Sequence, residues 1–330
     1  MNLHFIQKLT VVFLSVATLF AADFPHAEIS NGVVTAKFYL PDTEKGYYRG
    51  TRFDWSGQIY SLKTGGNEYF GQWFPKYDPK LHDAIMGPVE EFKTNDAGLG
   101  YHEAKAGDTF IRIGVGTVRK PDDGPYKAFK TYDIVDSGKW TVRNGKDWIE
   151  FTHELDGKNG YAYRYTKTVR LTKGEHPGMQ IEHTLQNTGS KKIETNQYNH
   201  NFFVMNQQPT GPATRVIFPF ELKAVKPFPN DFAVVKGKEI HYSKELEMKE
   251  STYAEFDGFG SSASDFDIRM ENAKAGTGVR IRGDQPIAKM VYWAIRSTFC
   301  PEPYINIAVE SGKSSSWKYT YDFYPVQPGK

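Results

Sequence analysis

The chain has 330 residues, and its 41 Lys and Arg against 39 Asp and Glu leave a formal net charge of only +2. This balance excludes a dedicated nucleic-acid-binding protein, which needs clustered basic residues to neutralise phosphates. A hydrophobic fraction of 39% and a charged fraction of 24% indicate a folded globular protein and exclude a disordered chain or a multi-span membrane protein. Aromatic residues make up 15% of the chain, more than core packing usually needs.

Residues 1–22 resemble a secretory signal peptide. Lys8 supplies a positive charge, residues 9–20 are apolar or small without interruption, and Ala21 and Ala22 offer a cleavage zone. An apolar run of about 12 residues is too short to span a bilayer, for which ~20 are needed. We therefore expect a secreted or periplasmic protein with no membrane span, in which residues 23–330 form a single domain. Cys300 is the only cysteine, so no internal disulfide forms, and we expect a buried, unreactive thiol.

Alternating apolar and polar residues, separated by clusters of Gly, Pro, Asn and Asp, predict strands along most of the chain. In chain order the predicted strands are residues 110–118, 140–151, 161–172, 179–186, 215–225, 267–270, 278–282, 288–295, 304–309 and 317–324. Residues 173–178 predict a hairpin connection, and residues 244–250 predict a short helix. The sequence therefore predicts an all-β domain of large antiparallel sheets, most simply two packed sheets.

Two predicted strand faces contain residues that break the pattern. Lys167 interrupts the apolar face of residues 161–172, which otherwise includes Tyr163, Tyr165 and Val169. His183 lies on the apolar face of the next strand, where a hydrogen-bonded core histidine is expected.

The common motifs of nucleotide, metal and nucleophile chemistry are absent from the sequence. Gly114 and Gly116 lack the third glycine of a dinucleotide fingerprint, and there is no G-x-S-x-G elbow. The nine histidines show neither H-x-x-x-H nor H-x-H spacing. We therefore expect neither a cofactor nor a metal.

Two polar and aromatic segments remain as candidate sites. Residues 194–203, if extended, place Tyr198 and His200 on one face among amides. Residues 304–310 place Tyr304, Asn306 and Glu310 on one face, opposite apolar residues. An imidazole and a carboxylate beside amides and rings suit a polyol-binding cleft, although a surface histidine and an exposed strand-end glutamate would give the same pattern.

The order of these segments resembles the aldose 1-epimerase, or galactose mutarotase-like, superfamily. The matching features are a strand with an Asn-Thr-Gly turn at residues 183–189, the histidine His200 in an aromatic stretch, and a strand that ends at Glu310. Residues 57–62 are similar to an early G-x-x-x-S-L strand of that family. The resemblance implies a β-supersandwich with a broad, concave sugar-binding face.

The resemblance also implies roles for individual residues. His200 would be the general acid and Glu310 the general base of anomer interconversion, in which the anomeric hydroxyl loses a proton while the ring oxygen gains one. Reference pKa values of ~4.3 for Glu and ~6.5 for His allow such a pair to hold opposite protonation states. The expected substrate-binding residues are His82, Arg49, Arg52, Tyr198, Asp257 and Asn306.

Two other functions fit the same scaffold. A polysaccharide lyase could use Tyr198 or His200 to abstract a proton and Arg49 or Arg52 to neutralise a uronate. A carbohydrate-binding protein would need no catalytic residue. In each case the expected partner is a mono- or oligosaccharide, with no nucleic acid.

Overall fold

The structure is a computed structural model that describes residues 24–157 and 159–327. The predicted signal peptide, residues 1–22, lies outside the described residues. Within them the chain forms the following strands: β1 (His26–Ser30), β2 (Val34–Tyr39), β3 (Gln58–Thr64), β4 (Asn67–Glu68), β5 (Val89–Lys93), β6 (Thr109–Arg112), β7 (Gly116–Arg119), β8 (Ile134–Asp136), β9 (Lys139–Asn144), β10 (Trp148–Asp156), β11 (Ala162–Thr172), β12 (Gly178–Asn187), β13 (Ile193–His200), β14 (Thr214–Ile217), β15 (Lys223–Lys226), β16 (Ala233–Lys236), β17 (Glu239–Tyr242), β18 (Ser251–Asp257), β19 (Asp267–Asn272), β20 (Thr277–Gly283), β21 (Lys289–Ile295), β22 (Thr298–Val309) and β23 (Ser314–Pro325). Two short 3-10 helices span Met205–Gln207 and Ala263–Asp265.

Two large antiparallel sheets dominate the fold. One has ten strands in the order β16-β17-β14-β19-β20-β23-β12-β11-β10-β9, and the other has six in the order β15-β18-β21-β22-β13-β5. A four-stranded sheet, β1-β2-β3-β4, and a three-stranded sheet, β6-β7-β8, complete the described structure. Val169 and Ile181 from the ten-stranded sheet share one hydrophobic core with Tyr292 and Ile305 from the six-stranded sheet. The predicted all-β class with large packed antiparallel sheets is confirmed.

Several predicted elements match the structure and others do not. The strand pair around residues 173–178 is confirmed as the β11–β12 hairpin. Residues 110–118 and 140–151 each form two strands joined by a turn, and the first of these turns contains Gly114, with a φ of 77°. The predicted helix at 244–250 is wrong, because Leu246 is buried and its N–H donates to the Thr210 carbonyl at 3.0 Å instead of to a helical partner.

The strand predicted at 304–309 begins six residues earlier, at Thr298. Pro301 and Pro303 argue against a central strand because neither has an N–H to donate. In the structure both prolines pair with β21 on one side. On the other side, the pairing of β22 with β13 ends at Ile305 and Gln197, before either proline is reached. The longer strand places Glu302, between the two prolines, within the six-stranded sheet.

Candidate functional site

His200 and Glu302 face each other from neighbouring strands of the six-stranded sheet. β13 and β22 run antiparallel with Asn196 opposite Asn306, and the same register continued along both strands places His200 opposite Glu302. Their side chains, each 6% exposed, approach to 3.1 Å between Nε2 of the imidazole and Oε1 of the carboxyl. The fold thus places a potential acid and a potential base within hydrogen-bond distance.

The opposite face of β13 is fixed by tyrosines of the ten-stranded sheet. Tyr319 donates its hydroxyl hydrogen to Oε1 of Gln197, and the Tyr321 hydroxyl accepts a hydrogen bond from Nδ2 of Asn199 at 3.2 Å. Since side chains alternate along a strand, this anchoring directs Tyr198 and His200 away from the core. Part of the aromatic surplus therefore holds the candidate site in place.

A cavity of about 420 Å³ opens over this pair, a size typical of small-molecule sites. Its lining is polar and aromatic: Arg52, His82, Asp83, Lys93, Phe129, Tyr198, His200, Tyr253, Val291, Trp293, Glu302 and Tyr304. Within the cavity, Tyr198 and Tyr304 stack at a ring-centroid distance of 4.2 Å.

The His200 imidazole is held in an environment that favours its neutral form. It stacks on Phe202 at 3.9 Å and meets Trp293 edge-on at 5.2 Å. Burial, followed by the positive charge of Arg52, lowers the pKa of His200 well below its ordinary value. At neutral pH this imidazole can therefore accept a proton.

The Glu302 carboxyl has the opposite tendency. Burial raises the pKa of Glu302 to about 8, although Arg52 and Lys93 oppose the rise. At neutral pH the carboxyl is therefore largely protonated and can donate. Because the two groups touch, they share one proton, and burial favours the neutral pair with that proton on Glu302.

A fixed ionic cluster lies beside this pair. Arg52 Nε donates to Oε2 of Glu91 at 3.0 Å, and the Tyr198 hydroxyl donates to the same oxygen at 2.5 Å. Arg112 approaches the other carboxylate oxygen of Glu91 at 3.4 Å. Burial alone would raise the pKa of Glu91, but the positive charges of Arg52, Lys93 and Arg112 lower it to about 2. Glu91 therefore stays ionised and orients Arg52 and Tyr198.

The rim of the cavity is formed by residues from two loops. Nε2 of His82 lies 3.1 Å from Oδ2 of Asp83, and Asp83 lies 4.0 Å from Arg52. Phe129 covers this group, with its ring centroid 4.9 Å from that of His82 and 5.1 Å from the Arg52 guanidinium carbon. Its side chain is nonetheless exposed, since 66% of the residue surface is accessible. This ring is available to stack on a bound sugar.

Four residues expected at the site from the sequence lie together in the cavity: His200, Tyr198, Arg52 and His82. His183, expected to be a core histidine, is fully buried, with Nε2 2.9 Å from Oε1 of Glu90. Cys300 is also buried, as expected, and burial raises its pKa well above the ordinary value.

Three expected substrate-binding residues lie outside the cavity. Arg49 lines a separate cavity of about 770 Å³, together with Trp55 and Lys80. Asp257 is the exposed last residue of β18, and it accepts a hydrogen bond from the N–H of Gly258. Asn306 is on the correct face of β22 but lies beyond the cavity, where Nδ2 of Asn196 donates to its Oδ1 at 2.5 Å.

Glu310, the expected base, is also outside the cavity. It follows the end of β22 and forms an exposed salt bridge of 3.2 Å with Lys192. Glu302 is on the same strand face but eight residues earlier, so about 27 Å separates the two backbone positions. The structure therefore does not bring Glu310 together with His200, and the carboxyl that meets the imidazole is Glu302.

Six residues that line the cavity were not expected from the sequence: Asp83, Lys93, Phe129, Tyr253, Val291 and Glu302. Glu302 could have been found by extending the alternation of β22 two residues back from Tyr304. The loop residues Asp83 and Phe129 have no periodic signal, so only the folded chain shows that they are neighbours.

Among residues 24–157 and 159–327, no group of three or more His, Cys, Asp or Glu side chains is arranged to hold a metal ion. In the same part of the chain, no helix is long and apolar enough to cross a membrane.

Comparison with known proteins gives matches in structure only. No family model matches the chain, and no curated protein matches its sequence significantly. A galactose mutarotase-like protein from Clostridium acetobutylicum is similar with a TM-score of 0.56 and 14% identity, covering 91% of this chain and 95% of that one. A galactose mutarotase related enzyme from Lactobacillus acidophilus is similar with a TM-score of 0.55 and 11% identity, covering 92% and 98%.

A proposed aldose 1-epimerase from Escherichia coli K12 is similar as well, with a TM-score of 0.53 and 13% identity over 91% of this chain and 99% of that one. Sequence identities this low show a shared fold and nothing more. They agree with the resemblance found in the sequence, and the chain therefore has a galactose mutarotase-like fold.

Proposed function

We propose that this protein interconverts the anomers of a sugar by acid–base catalysis, with Glu302 and His200 as the catalytic pair. The supporting observation is their 3.1 Å contact inside a sugar-sized cavity. A hemiacetal carries its hydroxyl and its ring oxygen on the same carbon. An acid and a base one hydrogen bond apart can therefore serve both oxygens at once.

The proton positions define the role of each residue. The neutral His200 accepts the proton of the anomeric hydroxyl, and the protonated Glu302 donates to the ring oxygen, so the ring opens to the aldehyde. Rotation about one bond, followed by the reverse proton transfers, then closes the ring as the other anomer. This assignment exchanges the acid and base roles that the sequence resemblance implies, because burial has opposite effects on a carboxyl and an imidazole.

The surrounding residues would bind and orient the sugar. Arg52, fixed by Glu91, and His82, paired with Asp83, present donors to hydroxyl groups. Tyr304 and Phe129 present ring faces to the apolar side of a pyranose. The chemistry consists of proton transfers alone, and the predicted signal peptide would direct it to a secreted or periplasmic location.

The electrostatics of the cavity favour this function over a lyase that uses Tyr198 as its base. Burial, together with the negative charge of Glu91, raises the pKa of Tyr198 well above its ordinary value. Its hydroxyl also donates to Glu91. A tyrosine so held does not abstract a proton from a sugar at neutral pH.

Saturation-transfer NMR on an equilibrated panel of aldoses tests the proposal. We expect wild-type protein to accelerate anomer exchange, and Glu302→Gln to reduce the acceleration by about 10²–10⁴-fold, the usual contribution of one acid or base. The matched control is Glu310→Gln, which lies outside the cavity and should exchange anomers at the wild-type rate. A protein that binds sugars but accelerates no exchange would instead be a binding protein, and the proposal would be wrong.

A further inference from the structure

A second cleft adjoins the cavity on the same face of the six-stranded sheet. It has a volume of about 340 Å³, and its lining includes Asn95, Glu194, Asn196, Asn306 and Ala308. Lys93 lines both this cleft and the His200–Glu302 cavity. The two spaces are therefore neighbours that meet at one lysine.

The sheet register shows how far the combined surface extends. Lys93, Asn196 and Asn306 lie opposite one another on β5, β13 and β22. Asn306 is four residues from Glu302 along β22, which corresponds to about 14 Å. That length exceeds a single pyranose ring, and the stacked rings of Tyr198 and Tyr304 lie between the two ends.

Among the described residues, Lys93 has no salt-bridge partner at this junction. In the described part of the chain its ammonium group forms no salt bridge and no hydrogen bond, and it lies 5.6 Å and 5.8 Å from the ring centroids of Tyr198 and Tyr304. The carboxylates nearby are already paired, Glu91 with two arginines and Glu194 with Lys192 at 2.8 Å. The nearby Lys289 differs, because Glu255 neutralises it at 3.1 Å.

We propose that the substrate is an acidic oligosaccharide of two or more rings. Its reducing-end ring occupies the His200–Glu302 cavity, a carboxylate of the glycan pairs with Lys93, and the next ring lies over the amides of Asn196 and Asn306. Amide side chains offer both donors and acceptors to sugar hydroxyls, and an unpaired ammonium favours a carboxylate over a hydroxyl. This inference rests on the proposed function, since it names the substrate of the same site.

Four sugars separate the effect of charge from the effect of length: galactose, galacturonate, α-1,4-galactobiose and α-1,4-digalacturonate. Anomer exchange at the reducing end is measured for each by saturation-transfer NMR. We expect the highest kcat/KM for digalacturonate, by about tenfold or more over galactobiose, which is the usual size of a hydrogen bond to a charged group. Lys93→Met should abolish the preference for acidic sugars. Lys236→Met, on the far edge of the ten-stranded sheet, should retain it.

The second cleft is tested by closing it. Ala308→Trp fills the cleft, and the ratio of kcat/KM for digalacturonate to that for galacturonate should fall to about one. If galactose and galactobiose exchange as fast as their acids, and Lys93→Met changes nothing, the inference is wrong while the proposed function stands.

Calorimetry on Glu302→Gln distinguishes the two proposals. We expect this variant to bind digalacturonate without exchanging its anomers, and the double variant with Lys93→Met to bind at least about tenfold more weakly. Binding that depends on Lys93, without exchange by the wild type on any sugar, would support the acidic-glycan site and overturn the proposed reaction. Equal binding of digalacturonate by Glu302→Gln and by the double variant would contradict the proposed acidic-glycan site.

Discussion

Lys167 and Glu90 form a salt bridge in the core between the two large sheets, with both side chains fully excluded from solvent. Lys167 also donates to the Ser56 carbonyl at 3.0 Å, and the second carboxylate oxygen of Glu90 lies 2.9 Å from Nε2 of His183. Burial alone would raise the pKa of Glu90, but the neighbouring Lys167 and His183 hold it below its ordinary value. Glu90 therefore remains ionised, and its stability in the core depends on these partners.

Removing one partner of this pair should destabilise the protein strongly. We expect Lys167→Met to lower the free energy of unfolding by about 3–5 kcal/mol, because Glu90 is left as an uncompensated buried charge. The double variant Lys167→Met with Glu90→Gln should recover most of that loss. Urea denaturation of both variants measures the difference. A double variant no more stable than Lys167→Met alone would contradict the explanation.

The sequence predicted that Lys167 breaks an apolar face, but it could not predict the reason. The partner, Glu90, is 77 positions away on a strand of the other sheet. Alternation shows which residues share a face of one strand, whereas pairing between sheets depends on how the sheets pack. For the same reason His183 was correctly placed in the core without its partner being known.

In the candidate site too, some features could be predicted from single segments, whereas others depend on how the strands pair. His200 and Tyr198 were expected on one face if residues 194–203 were extended. The segment does form β13, and these two side chains line the cavity. The base was expected at Glu310 because the resemblance matched the glutamate that ends this strand, whereas Glu302 lies between Pro301 and Pro303, which argue against a central strand. Those prolines are tolerated only because β13 has stopped pairing with β22 at that point, and the sequence of β22 alone does not contain that information.

The rate of anomer exchange should depend on pH through Glu302. The pKa of Glu302 is raised to about 8 and that of His200 is lowered well below its ordinary value. The pair therefore holds one proton across the neutral range. We expect kcat/KM to be constant from below pH 6 to about pH 8 and to fall tenfold per pH unit above it. A fall centred near pH 6.5, the ordinary value for histidine, would contradict this environment.

Glu302 should also make the stability of the protein depend on pH. Its pKa is higher in the folded state, about 8, than in the unfolded chain, about 4.3. The folded state therefore binds the extra proton, and the stability that this proton confers is complete below about pH 4.3 and is lost as the pH rises to 8.

We expect Glu302→Gln, whose side chain cannot ionise, not to lose stability over this pH range. The difference in unfolding free energy between the variant and the wild type should shift by a few kcal/mol in favour of the variant between pH 5 and pH 9, at about 1.4 kcal/mol per pKa unit. Chemical denaturation at several pH values measures the shift. A difference that does not change with pH would show that Glu302 titrates normally.

Phe129 should affect substrate binding without affecting stability. It is 66% exposed at the mouth of the cavity, where it contacts His82 and Arg52. Phe129→Ala removes a ring that stacks on the sugar in the ground state and the transition state alike, so KM should rise about threefold to tenfold with kcat unchanged, consistent with about 0.5–1.5 kcal/mol for an aromatic contact. The midpoint of thermal unfolding should stay within about 1 °C, because an exposed side chain contributes little to stability.

Met248→Ala is the matched control, since Met248 is 71% exposed and lines a different pocket. If Phe129→Ala lowers kcat while KM stays constant, the ring acts on the transition state, and its role is to position the Arg52 side of the catalytic cavity.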